Sequence, residues 1–115
     1  MNRLVLVAAG LSGAAGIALA AAGAHIAGSE RLTTAGQMAM AQAPALLVLG
    51  LDGRLGGRLL DVAAALVGFG LLVFAGALVF RDLTGSAALA FAPPWGGGAM
   101  ILGWLVIVIV ALRKH

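Results

Sequence analysis

Charged residues in this chain fall at a few separated points and leave long uncharged stretches between them. Four windows contain no Asp, Glu, Lys or Arg: Leu4–Ser29, Leu32–Leu51, Val62–Phe80 and Leu83–Leu112. They run to 26, 20, 19 and 30 residues. A helix needs about 20 apolar residues to cross about 30 Å of hydrocarbon, so each window is long enough for a membrane span or nearly so. The pattern predicts an all-α, integral membrane four-helix bundle in one domain, 1–115, with spans at about 4–25, 32–51, 60–80 and 96–112.

The windows differ in quality. The second carries Thr33, Thr34, Gln37 and Gln42, with Pro44 inside its apolar run, so it needs protein neighbours to insert stably. Pro44 has no N–H and its ring crowds the preceding turn, which predicts a bend. The fourth window is interrupted by Pro93, Pro94 and Gly96–Gly98. That predicts a Pro/Gly break before the fourth helix, with 84–92 as a short apolar connector at the interface or among the helices. A cleaved leader is the less favoured reading of the N-terminus, because the apolar run is too long for a signal-peptide core and further spans follow.

Composition sharpens this. The chain has 115 residues, 63% hydrophobic and 10% charged, with a mean hydropathy of +1.13. A chain of this size cannot hide so much apolar surface from water. Cys is absent, which removes disulfides, thiolate metal sites and a Cys nucleophile. The net charge of +3 sits beside the apolar segments, as topology signals do, and does not point to nucleic acid. Arg3, Arg54, Arg58, Arg113 and Lys114 fall on one side of a four-span chain, against Arg31 and Arg81 on the other. The bias predicts both termini in the cytoplasm. The segment 52–58 reads as a tight Gly-rich turn whose two arginines can meet anionic headgroups.

The 18 glycines suit helices that approach closely in a bilayer. Ser12, Gly16, Ala20 and Ala24 recur every fourth residue on the first span, widened by Gly13 and Gly23. Gly68 and Gly76 share a face of the third, and Ala99 and Gly103 one of the fourth. Packing within one chain is favoured over a dimerisation seam. Thr33 and Gln37 lie one turn apart, with Gln42 about 140° round from Gln37 at ~100° per residue. They form a candidate polar path, though interhelical hydrogen bonding is the more ordinary use of such residues.

Candidate chemistry is sparse. His25 and Glu30 supply two possible ligands where zinc takes three or four, so no metal site and no cofactor are expected. Ser12 has no His or carboxylate within helical reach, and no catalytic residues are assigned. Trp95 suits the interfacial belt, and Trp104 lies deeper. No charged residue lies in the interior of any proposed span, whereas proton-coupled transporters place ionisable groups there. These residues favour a non-catalytic structural or accessory component that packs in the lipid bilayer against itself or a larger membrane complex. A homo-oligomeric channel or carrier for a neutral or weakly polar solute is the alternative.

Several segments also resemble a known family. Leu19–Ala20–Ala21–Ala22–Gly23–Ala24–His25 is similar to the "GAFGAH" ending of the first span in the domain-of-unknown-function 423 family. Phe74–Ala75–Gly76–Ala77–Leu78 is similar to its "FSGSL" segment. The run from Pro94 through Trp95, Gly96, Gly97, Gly98 and Gly103 to Trp104 resembles its "PxGGxxFxxGW" signature. The order is shared over nearly the whole chain. In the second span the chain has Met40–Ala41–Gln42–Ala43–Pro44, with Pro44 where the family carries His, and the loop after His25 is short for the family. The resemblance implies a small four-span protein of the bacterial inner (plasma) membrane and supplies no activity.

Overall fold

In the computed structural model, residues 2–26, 29–51 and 57–113 are described. Four helices follow one another: α1 (Arg3–Ala21), α2 (Glu30–Leu51), α3 (Gly57–Thr84) and α4 (Ala92–Arg113). A π-helical turn, Ala22–Ile26, extends α1. No strand occurs among the described residues. All four helices are long and apolar enough to cross a membrane. Twenty-two residues rising 1.5 Å each give α2 and α4 about 33 Å, close to the hydrocarbon thickness.

Local chemistry accounts for the helix ends. Asn2 caps α1, its Oδ1 accepting from the Val5 N–H at 3.2 Å. Ser29 caps α2, its Oγ accepting from the Leu32 N–H at 3.2 Å. Thr84 Oγ1 turns back to donate to the Phe80 carbonyl at 2.7 Å, and Gly85 follows with φ +71, a conformation that favours glycine.

The fourth helix starts earlier than the sequence pattern predicts. The break lies at 85–91, and α4 already includes Pro93, Pro94 and all of Gly96–Gly98. The reason is positional. The first four N–H groups of a helix have no partner within it, so prolines just inside the start cost no hydrogen bond. Of the glycines, Gly96 is where the α3 backbone packs closely, while a Cβ on Gly98 would meet nothing within 4 Å. The third helix is also longer than its predicted span, taking in Gly57–Leu59 and Arg81–Thr84. Residues 52–56 of the expected Gly-rich turn, with Lys114 and His115, lie outside the described residues. Helix α2 continues on both sides of Pro44.

The helices pack in chain order. α1 lies on α2, α2 on α3 and α3 on α4, and no Cα of α4 comes within 8 Å of one in α1 or α2. One core cluster joins Ala9 of α1, Leu46 of α2 and Ala64 and Val67 of α3. A second joins Ala39 of α2, Leu71 of α3 and Met100 of α4. Helices α2 and α3 thus contribute to both clusters, and the outer helices to one each. Large side chains point outward on every helix, among them Leu4, Phe69, Trp95 and Ile101. In a bilayer such a surface meets lipid, so the helices are held by close van der Waals contact and polar ties.

Candidate functional site

Two backbone crossings hold the pairs of helices. In α1 and α2 the glycines face each other. A Cβ on Gly16 would stand 2.8 Å from Met40 Cγ and 2.9 Å from the Gly36 carbonyl oxygen. A Cβ on Gly36 would meet the Ala20 backbone and stand 2.5 Å from the Gly16 oxygen. Higher up, Gly23 presses on the Thr33 backbone, 2.6 Å from its nitrogen by the same measure. In α3 and α4 the partners are Gly70 and Gly96. A Cβ on Gly70 would lie 2.7 Å from the Gly96 oxygen, and one on Gly96 would lie 2.6 Å from the Gly70 oxygen. Gly103 continues that seam against Val67 Cγ2, at 2.6 Å, and the Ala63 oxygen, at 3.0 Å.

The expected packing residues are therefore placed unequally. Gly16, Gly23 and Gly103 lie at crossings, Ala20 lends its backbone to one, and Ser12 is half-buried. Gly68 and Gly76 do not reach a neighbour, for nothing stands within 4 Å of a Cβ on either. The α3 glycine that meets α4 is Gly70. Gly36, Gly50 and Gly70 were missed by the spacing argument, because helices that are apolar all round show no phase from which the inward face can be read.

Two side-chain ties cross between helices. The Trp104 indole Nε1–H donates to Gln42 Oε1 at 2.8 Å, and the Gln42 Nε2 donates to Met38 Sδ at 3.6 Å. Gln42 is buried, the only buried polar or charged residue among those described. At one end of the molecule the Ser29 hydroxyl donates to the Asp82 carboxylate. Ser29 thus uses its oxygen to cap α2 and its proton to bind the end of α3. The Ser29 N–H also donates to the Gly23 carbonyl at 2.8 Å, linking the start of α2 to the π-helical segment. At the other end the Asn2 N–H donates to the Gly50 carbonyl at 2.8 Å, fastening the start of α1 to the end of α2.

The candidate polar path is broken up. Thr33 turns its hydroxyl back to the Ser29 carbonyl at 2.9 Å, Gln37 is exposed, and Gln42 is committed to Trp104. A shallow, open recess of about 320 Å³ lies where Gly23, Ser29, Glu30, Thr33 and Thr34 meet. His25 and Glu30 are both exposed nearby. Among the described residues no three His, Asp or Glu side chains gather as a metal site.

The family model described as "Protein of unknown function (DUF423)" matches residues 19–97, more than half of the chain. The chain belongs to the DUF423 family. Its relatives include UPF0382 membrane proteins from two strains of Staphylococcus epidermidis, ATCC 35984 and ATCC 12228. Each is 33% identical over 113 residues, covering 98% of this chain and 90% of the relative. No solved structure matches the chain. These relatives are membrane proteins by name, in agreement with four helices able to span a bilayer. Of the DUF423 segments legible in the sequence, the Gly23–His25 ending sits on the π-helical turn beside Thr33. Gly96 and Gly103 are crossing points on the inner side of α4, and Trp104, at its lipid boundary, supplies the tie. Pro94 is exposed in the first turn of α4, Gly97 is half-buried, and Gly76 is exposed.

Proposed function

We propose that this DUF423 protein is a non-catalytic structural or accessory component of the bacterial inner membrane, with both termini in the cytoplasm. The observation that carries the reading is the use made of Gln42. It is buried mid-span, and both ends of its carboxamide are engaged within the chain, by Trp104 and Met38. The one buried polar side chain among the described residues thus ties α2 to α4. The Ser29–Asp82 tie serves the same end at the helix termini. The charged residues of α2 lie in its first turn, and those of α3 lie within five residues of its ends, where a span meets headgroups. The carrier reading is weakened because Thr33, Gln37 and Gln42 share no common passage. The excess of Arg and Lys at the Arg3, Arg58 and Arg113 end supports the cytoplasmic placement of the termini.

Gentle extraction from native membranes, followed by native-mass sizing and identification of co-purifying proteins, tests this. The reading expects the chain in an assembly. Solute flux in liposomes reconstituted with the pure protein, abolished by Gln37→Leu, would replace it with the carrier.

A further inference from the structure

The first half of the outward face of α2 carries polar side chains where the other helices turn apolar ones to the lipid. Thr34, Gln37, Ala41, Pro44, Val48 and Leu51 are all exposed. Their spacing alternates three and four residues, the period of a coiled-coil seam. The other helices show large apolar side chains outward, such as Leu11 and Ile17 on α1, Phe69 and Leu72 on α3, and Ile101 and Leu105 on α4. Helix α2 is the least hydrophobic of the four spans, and two of its polar residues, Thr34 and Gln37, lie on this stripe.

Gln37 is the polar side chain of the stripe that lies deepest in the span. Gln37 lies seven residues past Glu30, the first residue of α2, or about 10 Å along the helix. Its exposed carboxamide makes no hydrogen bond to a described residue. Pro44 carries no N–H, so the Met40 carbonyl loses the donor that an uninterrupted helix supplies. Lipid tails offer neither donors nor acceptors, and a polar group left unpaired in them is costly.

A carboxamide both donates and accepts, so it is complementary to another copy of itself. A twofold axis along the membrane normal brings equal depths of two α2 helices together and sets Gln37 opposite Gln37. Thr34 and Ala41, one turn to either side, are small enough to let the backbones approach. The small-residue ridge of α1 is not free for this purpose, because Gly16 and Gly23 are already covered by α2 within the chain. We propose that the protein forms a parallel homodimer through this α2 face, with Gln37 of each copy hydrogen-bonded to Gln37 of the other. The proposal rests on the reading of the chain as a packing component and names its first partner as a second copy.

The chain contains no Cys, so single cysteines report cleanly. Thr34→Cys, Ala41→Cys and Val48→Cys are oxidised in native membranes, beside Leu11→Cys, Leu72→Cys and Leu105→Cys on the other helices. The expected result is a disulfide dimer from the α2 series and not from the others. In a lipid-dilution series Gln37→Leu weakens the dimer about threefold if one average interhelical hydrogen bond is lost and about eightfold if two are. Gln37 touches no described polar group, so the variant keeps the fold of the single chain. Absent α2 cross-links, or equal ones at all six positions, would overturn the proposal. An adduct of the α2 cysteines with a different protein in place of the dimer also overturns it, while leaving the accessory reading standing. An α2 dimer in membranes that yield no other co-purifying protein upholds it, even as membership of a larger assembly fails.

Discussion

The Trp104 indole N–H reaches Gln42 Oε1 at 2.8 Å, although α2 and α4 bring no pair of Cα atoms within 8 Å. The bond is a bridge of two long side chains between helices that do not pack backbone to backbone. Each residue lies close to the middle of its helix, where no water competes for the donor or acceptor. Trp104 is 43% exposed, so the ring lies at the lipid boundary with its polar edge turned inward.

Removing this bridge should loosen α4 from α2 without unfolding the chain. Interhelical hydrogen bonds in membranes average about 0.6 kcal/mol and reach about 1.7. A double-mutant cycle of Gln42→Leu and Trp104→Phe, read by denaturant titration in bicelles, should return a coupling in that range. A coupling indistinguishable from zero would mean that the bond adds nothing to stability.

The glycines of α3 separate sharply by position. Gly70→Ala places a Cβ 2.7 Å from the Gly96 oxygen and 2.9 Å from the Met100 nitrogen. Both are backbone atoms, so the helices must part, at a cost of about 1–3 kcal/mol. Gly68→Ala has nothing within 4 Å and should lie within about 0.5 kcal/mol of the parent. Thermal unfolding of the two variants in the same detergent checks the contrast, and equal losses would contradict the placement of Gly70 at the crossing.

Ser29 has two duties that one substitution removes together. Ser29→Ala deletes the cap on the Leu32 N–H and the donor to Asp82. Loss of a cap alone costs about 1 kcal/mol. Asp82→Leu should leave the cap intact and cost less than Ser29→Ala at the start of α2. Hydrogen exchange at the first turn of α2 distinguishes them: faster exchange is expected in Ser29→Ala and near-parent exchange in Asp82→Leu.

Topology has a direct readout. With both termini cytoplasmic, a C-terminal green fluorescent protein fusion should fluoresce and a C-terminal alkaline phosphatase fusion should be inactive. Alkaline phosphatase joined at Ser86, in the break between α3 and α4, should be active. The reverse pattern would invert the assignment made from Arg and Lys.

The number of helices and the family were legible in the amino-acid sequence, because both rest on one-dimensional signals. Charge-free windows of span length are set by the free energy of placing ionised groups in hydrocarbon. The Gly23–His25 and Pro94–Trp104 segments are short, ordered motifs. Which face of each helix turns inward was not legible. In a protein whose surface and core are equally apolar, periodicity carries no burial signal, so Gly68 and Gly76 looked as suitable for packing as Gly70. The start of α4 was misread for a related reason. Pro93, Pro94 and the glycines after them weaken an isolated helix, but unpaired first-turn N–H groups accommodate the prolines, and the Gly70–Gly96 backbone contact rewards the missing side chains. The pairing of Gln42 with Trp104, and of Ser29 with Asp82, joins residues more than fifty positions apart. Local chemistry alone therefore determined a chain of four membrane-length helices. Their phase, their crossing points and the partners of their few polar groups were decided only when the helices met, since each depends on which backbone another helix can approach.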